Sequence, residues 1–107
     1  MFLTSHLFAT LLAVVTTTPF RSGMDIEGRR CHTVRIPAVR TAPNGDLVAA
    51  FDARWNNIND AGTGKGEEVE IAFSRSTDGG RTWSAPRRLH DFPWTAEEKW
   101  AATDPSL

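Results

Sequence analysis

Four charged residues in this 107-residue chain have types and spacings that could do chemistry together: Arg35, Arg54, Asp60 and Asp104. A guanidinium presents a planar fork of donors that matches a carboxylate, which the point charge of a lysine cannot imitate. Asp60 is the only acid between Arg54 and Glu67, so any proton transfer centred on this stretch falls to it. Each residue also has a plainer reading. Arg35 could cap a strand through an ion pair, Arg54 could pair with Asp52 or Asp60 across a loop, and an Asp in an Asn/Gly-rich loop is often a turn former.

The elements that must carry these residues read as all-β. Segments 33–40, 47–53, 68–75 and 83–89 are short and extended, are separated by turn residues, and show no helical i, i+3, i+4 recurrence. In the first, Val34, Ile36 and Ala38 alternate with Arg35, Pro37 and Val39, and Pro37 denies the ladder one donor. Pro43-Asn44-Gly45-Asp46 predicts a tight hairpin turn. The second segment aligns Leu47, Ala49 and Phe51. In the third, Val69, Ile71 and Phe73 oppose Glu68, Glu70, Ala72 and Ser74, with Glu67, Glu68 and Glu70 expected on a solvated face. Pro86 marks the fourth as an edge strand. Consecutive antiparallel strands form a meander, in which alternate connections share a rim. Pro43–Gly45 and the turn after residue 75, where Arg75, Arg81, Arg87 and Arg88 cluster, then fall on one rim. Arg35, Arg54, Asp60 and Asp104 fall on the other, together with the long polar loop 54–66, and binding groups favour long loops on a rigid scaffold.

Ser76-Thr77-Asp78-Gly79-Gly80-Arg81-Thr82-Trp83 fits the pattern Ser-x-Asp-x-Gly-x-Thr-Trp, the Asp box. Its physics is structural: side-chain oxygens bond turn amides, Gly supplies the backbone conformation, and Trp packs beneath the hairpin. The alternating ligands and closing Glu of a calcium loop are absent. Gly62-Thr63-Gly64-Lys65-Gly66 looks superficially like a phosphate loop, but Asn59 stands where the first Gly is required and Gly66 replaces the Ser/Thr. Strand spacing and turn chemistry together point to one blade of a β-propeller, with Asp104-Pro105-Ser106-Leu107 opening a second blade and the chain a fragment of the whole.

Composition narrows the remaining classes. A net charge of −1 argues against nucleic acid as a partner. A single cysteine, Cys31, allows neither an internal disulfide nor a multi-thiolate zinc site. The apolar run Leu7–Val15 is too short to span a membrane. Residues 1–18 read as a hydrophobic segment, either a signal peptide that would send the protein to the cell envelope or beyond, or a strand in a cytoplasmic protein. Residues 19–107 read as the N-terminal part of a β-propeller domain, incomplete in this chain.

Arg35-Ile36-Pro37, then Arg54 in Phe51-Asp52-Ala53-Arg54, then Asp60 and an Asp box resemble, as an ordered set over residues 33–107, the start of the sialidase (neuraminidase) catalytic domain. Phe20–Gly23 would match the short strand that precedes it. The resemblance implies a six-bladed propeller and an exo-α-sialidase acting on sialylated glycans, with no cofactor and no metal. It implies that Arg35 is the first of three arginines gripping the sialic acid carboxylate, that Arg54 and Asp104 line the sugar pocket, and that Asp60 is the general acid/base. Sialidases use a Tyr nucleophile, and this chain has no Tyr. It also lacks the partner Glu and two further arginines at recognisable positions, so by itself it should be inert. Val34 replaces the usual aromatic before Arg-Ile-Pro, and Arg29-Arg30-Cys31-His32 is an unusual lead-in. A non-catalytic carbohydrate-binding propeller, or a propeller hydrolase acting on another sugar, would also carry an Asp box. Trp94 and Trp100 bracket a polar stretch that would project above the site rim, where packing is the plainer role.

Overall fold

The computed structural model describes residues 16–89 and 101–107. The hydrophobic N-terminal segment through Val15, His90, Trp94 and Trp100 lie outside them. The first element is a small hairpin of β1 (Asp25–Ile26) and β2 (Arg29–Arg30). Glu27 and Gly28 at its tip both have positive φ, 52° and 84°, a two-residue turn whose twist suits antiparallel strands. The Gly28 amide donates to Asp25 Oδ1 at 2.8 Å. Phe20–Gly23 is not a strand: Ser22 and Gly23 form a turn, and pairing begins at Asp25.

A four-stranded antiparallel sheet follows in the order β3 (Thr33–Thr41), β4 (Leu47–Arg54), β5 (Val69–Ser76), β6 (Arg87–Arg88). This is the expected meander. Asn44 holds the first turn by accepting the Asp46 amide, and Gly45 takes φ 89°. The fourth strand is shorter than expected. Pro86 has no N–H to offer, so only Arg87 and Arg88 pair with β5, while Ser84 and Leu89 each add one backbone bond.

Strand β3 does not keep the simple alternation its residues predict. Arg35 pairs with Asp52 and Ala38 with Ala50, so three steps on β3 span two on β4. The extra residue forms a bulge at Ile36-Pro37, where the missing proline donor interrupts the ladder. Val34 and Ala38 therefore sit on opposite faces. Ile36 adopts φ 53°, a left-handed conformation that is costly for a β-branched residue, by about 1–3 kcal/mol.

The sheet has two unlike faces. On one, Phe51, Ala53, Trp55 and Ala72 pack with Ile26 and Cys31 from the N-terminal hairpin, and Phe20 stacks on Phe51 with centroids 4.2 Å apart. Full burial of a Phe such as Phe51 stabilises by about 2–3 kcal/mol. The other face presents Val48, Ala50, Ile71 and Phe73, with Leu89 and Pro105 at its margin.

Glu67, Glu68 and Glu70 are not a solvated face; all three are buried. Register places Glu70 opposite the small Ala53 and beside Trp55, and Arg29 from the N-terminal hairpin and Arg88 from β6 reach in. Arg29 donates two bonds to Glu68, at 2.9 and 2.6 Å, and Arg88 two to Glu70, at 2.6 and 2.7 Å. Both guanidiniums lie over the Trp55 ring, at 4.5 and 5.3 Å from its centre. Arg87 pairs with Glu27, so of the arginines expected around the Asp box, Arg87 and Arg88 are drawn elsewhere; Arg81, inside the box, and Arg75 remain, the Arg75 Nε 2.6 Å from Asp46 Oδ2.

The Asp box closes the turn between β5 and β6 as its chemistry predicts. Ser76 Oγ accepts the Gly80 amide at 2.8 Å and Asp78 Oδ1 accepts the Thr82 amide at 2.9 Å. Bonds from the Thr82 hydroxyl and amide hold the Asp78 carboxyl down at about 2. The Trp83 indole donates to Thr17 Oγ1, which fastens the N-terminal segment to this turn.

Candidate functional site

Strand β4 ends in Asp52 and Arg54, two residues apart and therefore on the same face. Arg35 is the cross-strand partner of Asp52 and shares that face. The Arg35 side chain is exposed and has no ion-pair partner among the described residues. Arg54 is the opposite case: its side chain is 3% exposed, Nη1 donates to the Ile58 carbonyl at 2.6 Å, and Nη2 bonds Asp60 Oδ1. Asp60, carried on the long loop, keeps 72% of its side chain in solvent. Asp104 arrives from the far end of the described chain, and its amide donates to Asp52 Oδ1 at 2.8 Å. Asp52 thus meets Arg54 and the Asp104 amide, Arg54 holds Asp60, and Arg35 is the cross-strand neighbour of Asp52.

Asp52 is the residue that sequence reasoning underrated. It appeared only as one of two carboxylates available to Arg54, whereas it is fully buried and touches two of the four candidates. Its Oδ2 lies 3.7 Å from Arg54 Nη2. Neither that oxygen nor Arg54 Nε has a hydrogen-bond partner among the described residues. Burial pushes the Asp52 carboxyl above its ordinary range, and the nearby Asp104 carboxylate adds to this. The Asp104 amide and Arg54 oppose it. The sequence signal was the alternation itself, which puts residues 52 and 54 on one side of β4.

The loop carrying Asp60 is held by a second acid. Glu67 accepts the Gly64 amide at 3.0 Å, the Lys65 amide at 2.8 Å and the Thr63 hydroxyl at 3.0 Å. The Gly-rich stretch does wrap an anion, and the anion is this chain's own carboxylate. Its own amide, then those of Gly64 and Lys65, draw the Glu67 carboxyl down to about 2. Asn56 and Asn57 donate to the Gly66 and Lys65 carbonyls and tie the two arms of the loop together.

His32 lies beside this region, its Nδ1 2.7 Å from Thr33 Oγ1. Cys31 is buried, and burial pushes its thiol up, which leaves it unreactive. Among the described residues no group of three or more His, Cys, Asp or Glu side chains could hold a metal ion. No helix among them is long and apolar enough to cross a membrane. The arrangement offers an exposed guanidinium, Arg35, on the sheet face shared by Asp52 and Arg54, with the solvent-facing Asp60 carboxylate held by Arg54.

No family model matches the chain. Individual proteins do. The chain is 42% identical over 52 residues to the anhydrosialidase of Macrobdella decora, covering 49% of this chain and 6% of that protein. It is 40% identical over 72 residues to a sialidase of Micromonospora viridifaciens, covering 67% of this chain and 10% of that one. The intramolecular trans-sialidase of Ruminococcus gnavus, solved in complex with oseltamivir carboxylate, superposes with a TM-score of 0.57. The two are 32% identical over 70% of this chain and 14% of that one. This chain is a homologue of the sialidases. The sialidase relationship holds in sequence and in fold. The sialidase homologue described here spans about a tenth or less of the length of the two curated relatives named.

Proposed function

We propose that these residues form the N-terminal portion of an exo-α-sialidase that releases terminal sialic acids from glycoconjugates. In this reading residues 19–107 belong to a six-bladed propeller domain. Arg35 grips the carboxylate on the anomeric carbon, Arg54 and Asp104 line the sugar pocket, and Asp60 serves as general acid/base. The observation that carries the reading is Arg35: an exposed guanidinium without an ion-pair partner among the described residues, on the face shared by Asp52 and Arg54. A strained bulge immediately follows it, and such strain concentrates where a side chain must be aimed.

The anionic sugar also explains what this chain lacks. A carboxylate nucleophile would approach the like charge of the substrate, which is why sialidases use Tyr, and no Tyr occurs among the 107 residues. The nucleophile must come from elsewhere in the protein, and these residues alone do not hydrolyse.

The test is hydrolysis of an aryl sialoside by the full-length protein and by its Arg35→Lys variant. Turnover that collapses on losing the two-donor fork supports the reading. Turnover of neutral aryl glycosides with Arg35→Lys tolerated would replace it with a hydrolase for another sugar. Sialoside binding without turnover would replace it with a non-catalytic carbohydrate-binding propeller.

A further inference from the structure

Resting on the reading above, we propose that Asp52 is a positioning residue that sets the sugar pocket by fastening the backbone of Asp104 to strand β4 beside Arg54. Asp52 has no exposed surface and cannot meet a substrate. It acts through its two neighbours: Oδ1 accepts the Asp104 amide at 2.8 Å, and Oδ2 faces Arg54 Nη2 at 3.7 Å.

The Asp104 segment needs such an anchor. Residues 101–107 carry no strand pairing; Ala102 donates to the Val69 carbonyl at 3.1 Å and Asp104 to Asp52, and these are the backbone donations that tie the segment to the sheet among the described residues. Asp104 also holds φ 55°, a left-handed conformation that a non-glycine residue keeps only where its surroundings impose it. Losing the acceptor at position 52 frees that backbone and with it the direction of the Asp104 carboxylate. What position 52 supplies to this segment is an acceptor aimed at one amide, 2.8 Å from the Asp104 nitrogen.

The test compares Asp52→Ala, which removes the acceptor, with Asp52→Asn, whose carbonyl oxygen can still accept the Asp104 amide. In the full-length enzyme, Asp52→Ala should raise KM for an aryl sialoside about tenfold with a smaller change in kcat, as expected when a positioning hydrogen bond is lost. Asp52→Asn should stay within about threefold of wild type in KM. An unchanged KM in Asp52→Ala, or equal impairment in both variants, overturns the proposal. Hydrogen exchange at the Asp104 amide gives a readout that needs no activity: protection in wild type and Asp52→Asn, lost in Asp52→Ala. An Asp104 amide that exchanges freely in the wild-type protein overturns the anchor even if Asp52→Ala does not fold. A wild-type protein that is inert toward sialosides but keeps the exchange pattern defeats the functional reading and leaves the anchor standing.

Discussion

The indole of Trp55 donates to Glu70 at 3.2 Å, and both are buried where the N-terminal hairpin meets the sheet. Arg29 and Arg88 lie over the same indole, and each is bound to a glutamate of β5 or the residue just before it. Two buried glutamates are thus paired by arginines that lie over one aromatic plane, Arg88 mostly buried and Arg29 partly in solvent.

Glu70→Gln removes the charge from this layer while keeping its volume. Arg88 then faces a neutral amide across a site that is 1% exposed on the glutamate side. We expect a loss of about 2–3 kcal/mol, read from the midpoint and slope of urea unfolding. A change within error would mean that solvent screens the pair far better than its burial indicates.

The Glu67 carboxyl should make stability depend on pH in acid. Its folded value is about 2, below the ordinary 4.5, so its contribution is complete above about 4.5 and disappears as pH falls toward 2. Unfolding curves recorded between pH 5 and 2 should therefore show part of the acid loss in wild type and not in Glu67→Gln. Asp78 titrates over a similar window, so Asp78→Asn should remove a separate part of the same slope.

The two glycines of the Asp box should respond differently to Ala. Both have positive φ, 73° at Gly79 and 87° at Gly80, which costs a Cβ-bearing residue about 1–2 kcal/mol. At Gly79 a Cβ meets nothing within 4 Å, while at Gly80 it would lie 3.3 Å from Leu47 Cδ1 and 3.8 Å from Trp83. Gly80→Ala should lower Tm more than Gly79→Ala in thermal melts, and equal shifts would count against the close packing of that turn.

If Asp60 protonates the leaving group, Asp60→Ala in the full-length protein should slow sialosides with poor leaving groups far more than activated aryl sialosides. Equal losses on both would assign Asp60 to holding Arg54, the contact it makes here.

Much of the frame was legible from residue order. Alternation at Leu47, Ala49 and Phe51, the Asn44-Gly45 turn and the Asp box are local features, and a local feature is decided by the conformations its own residues permit. The same locality sorted Arg35, Arg54 and Asp60 toward one rim, because a meander alternates its connections whatever its side chains are. Three things depended on partners distant in sequence. The bulge at Ile36-Pro37 is a mismatch of register between two strands, so the Pro hinted at it without fixing which residues change face. Glu68 and Glu70 looked solvated because polarity along one strand cannot show that Arg29 and Arg88 arrive from either side. Asp52 gained its place from Asp104, fifty-two positions away. Sequence determined which backbone shapes were available and which charges shared an edge. Only the packed structure decided which of those charges were buried, since the cost of burying a carboxylate is met or not met by groups that the chain brings together after it folds.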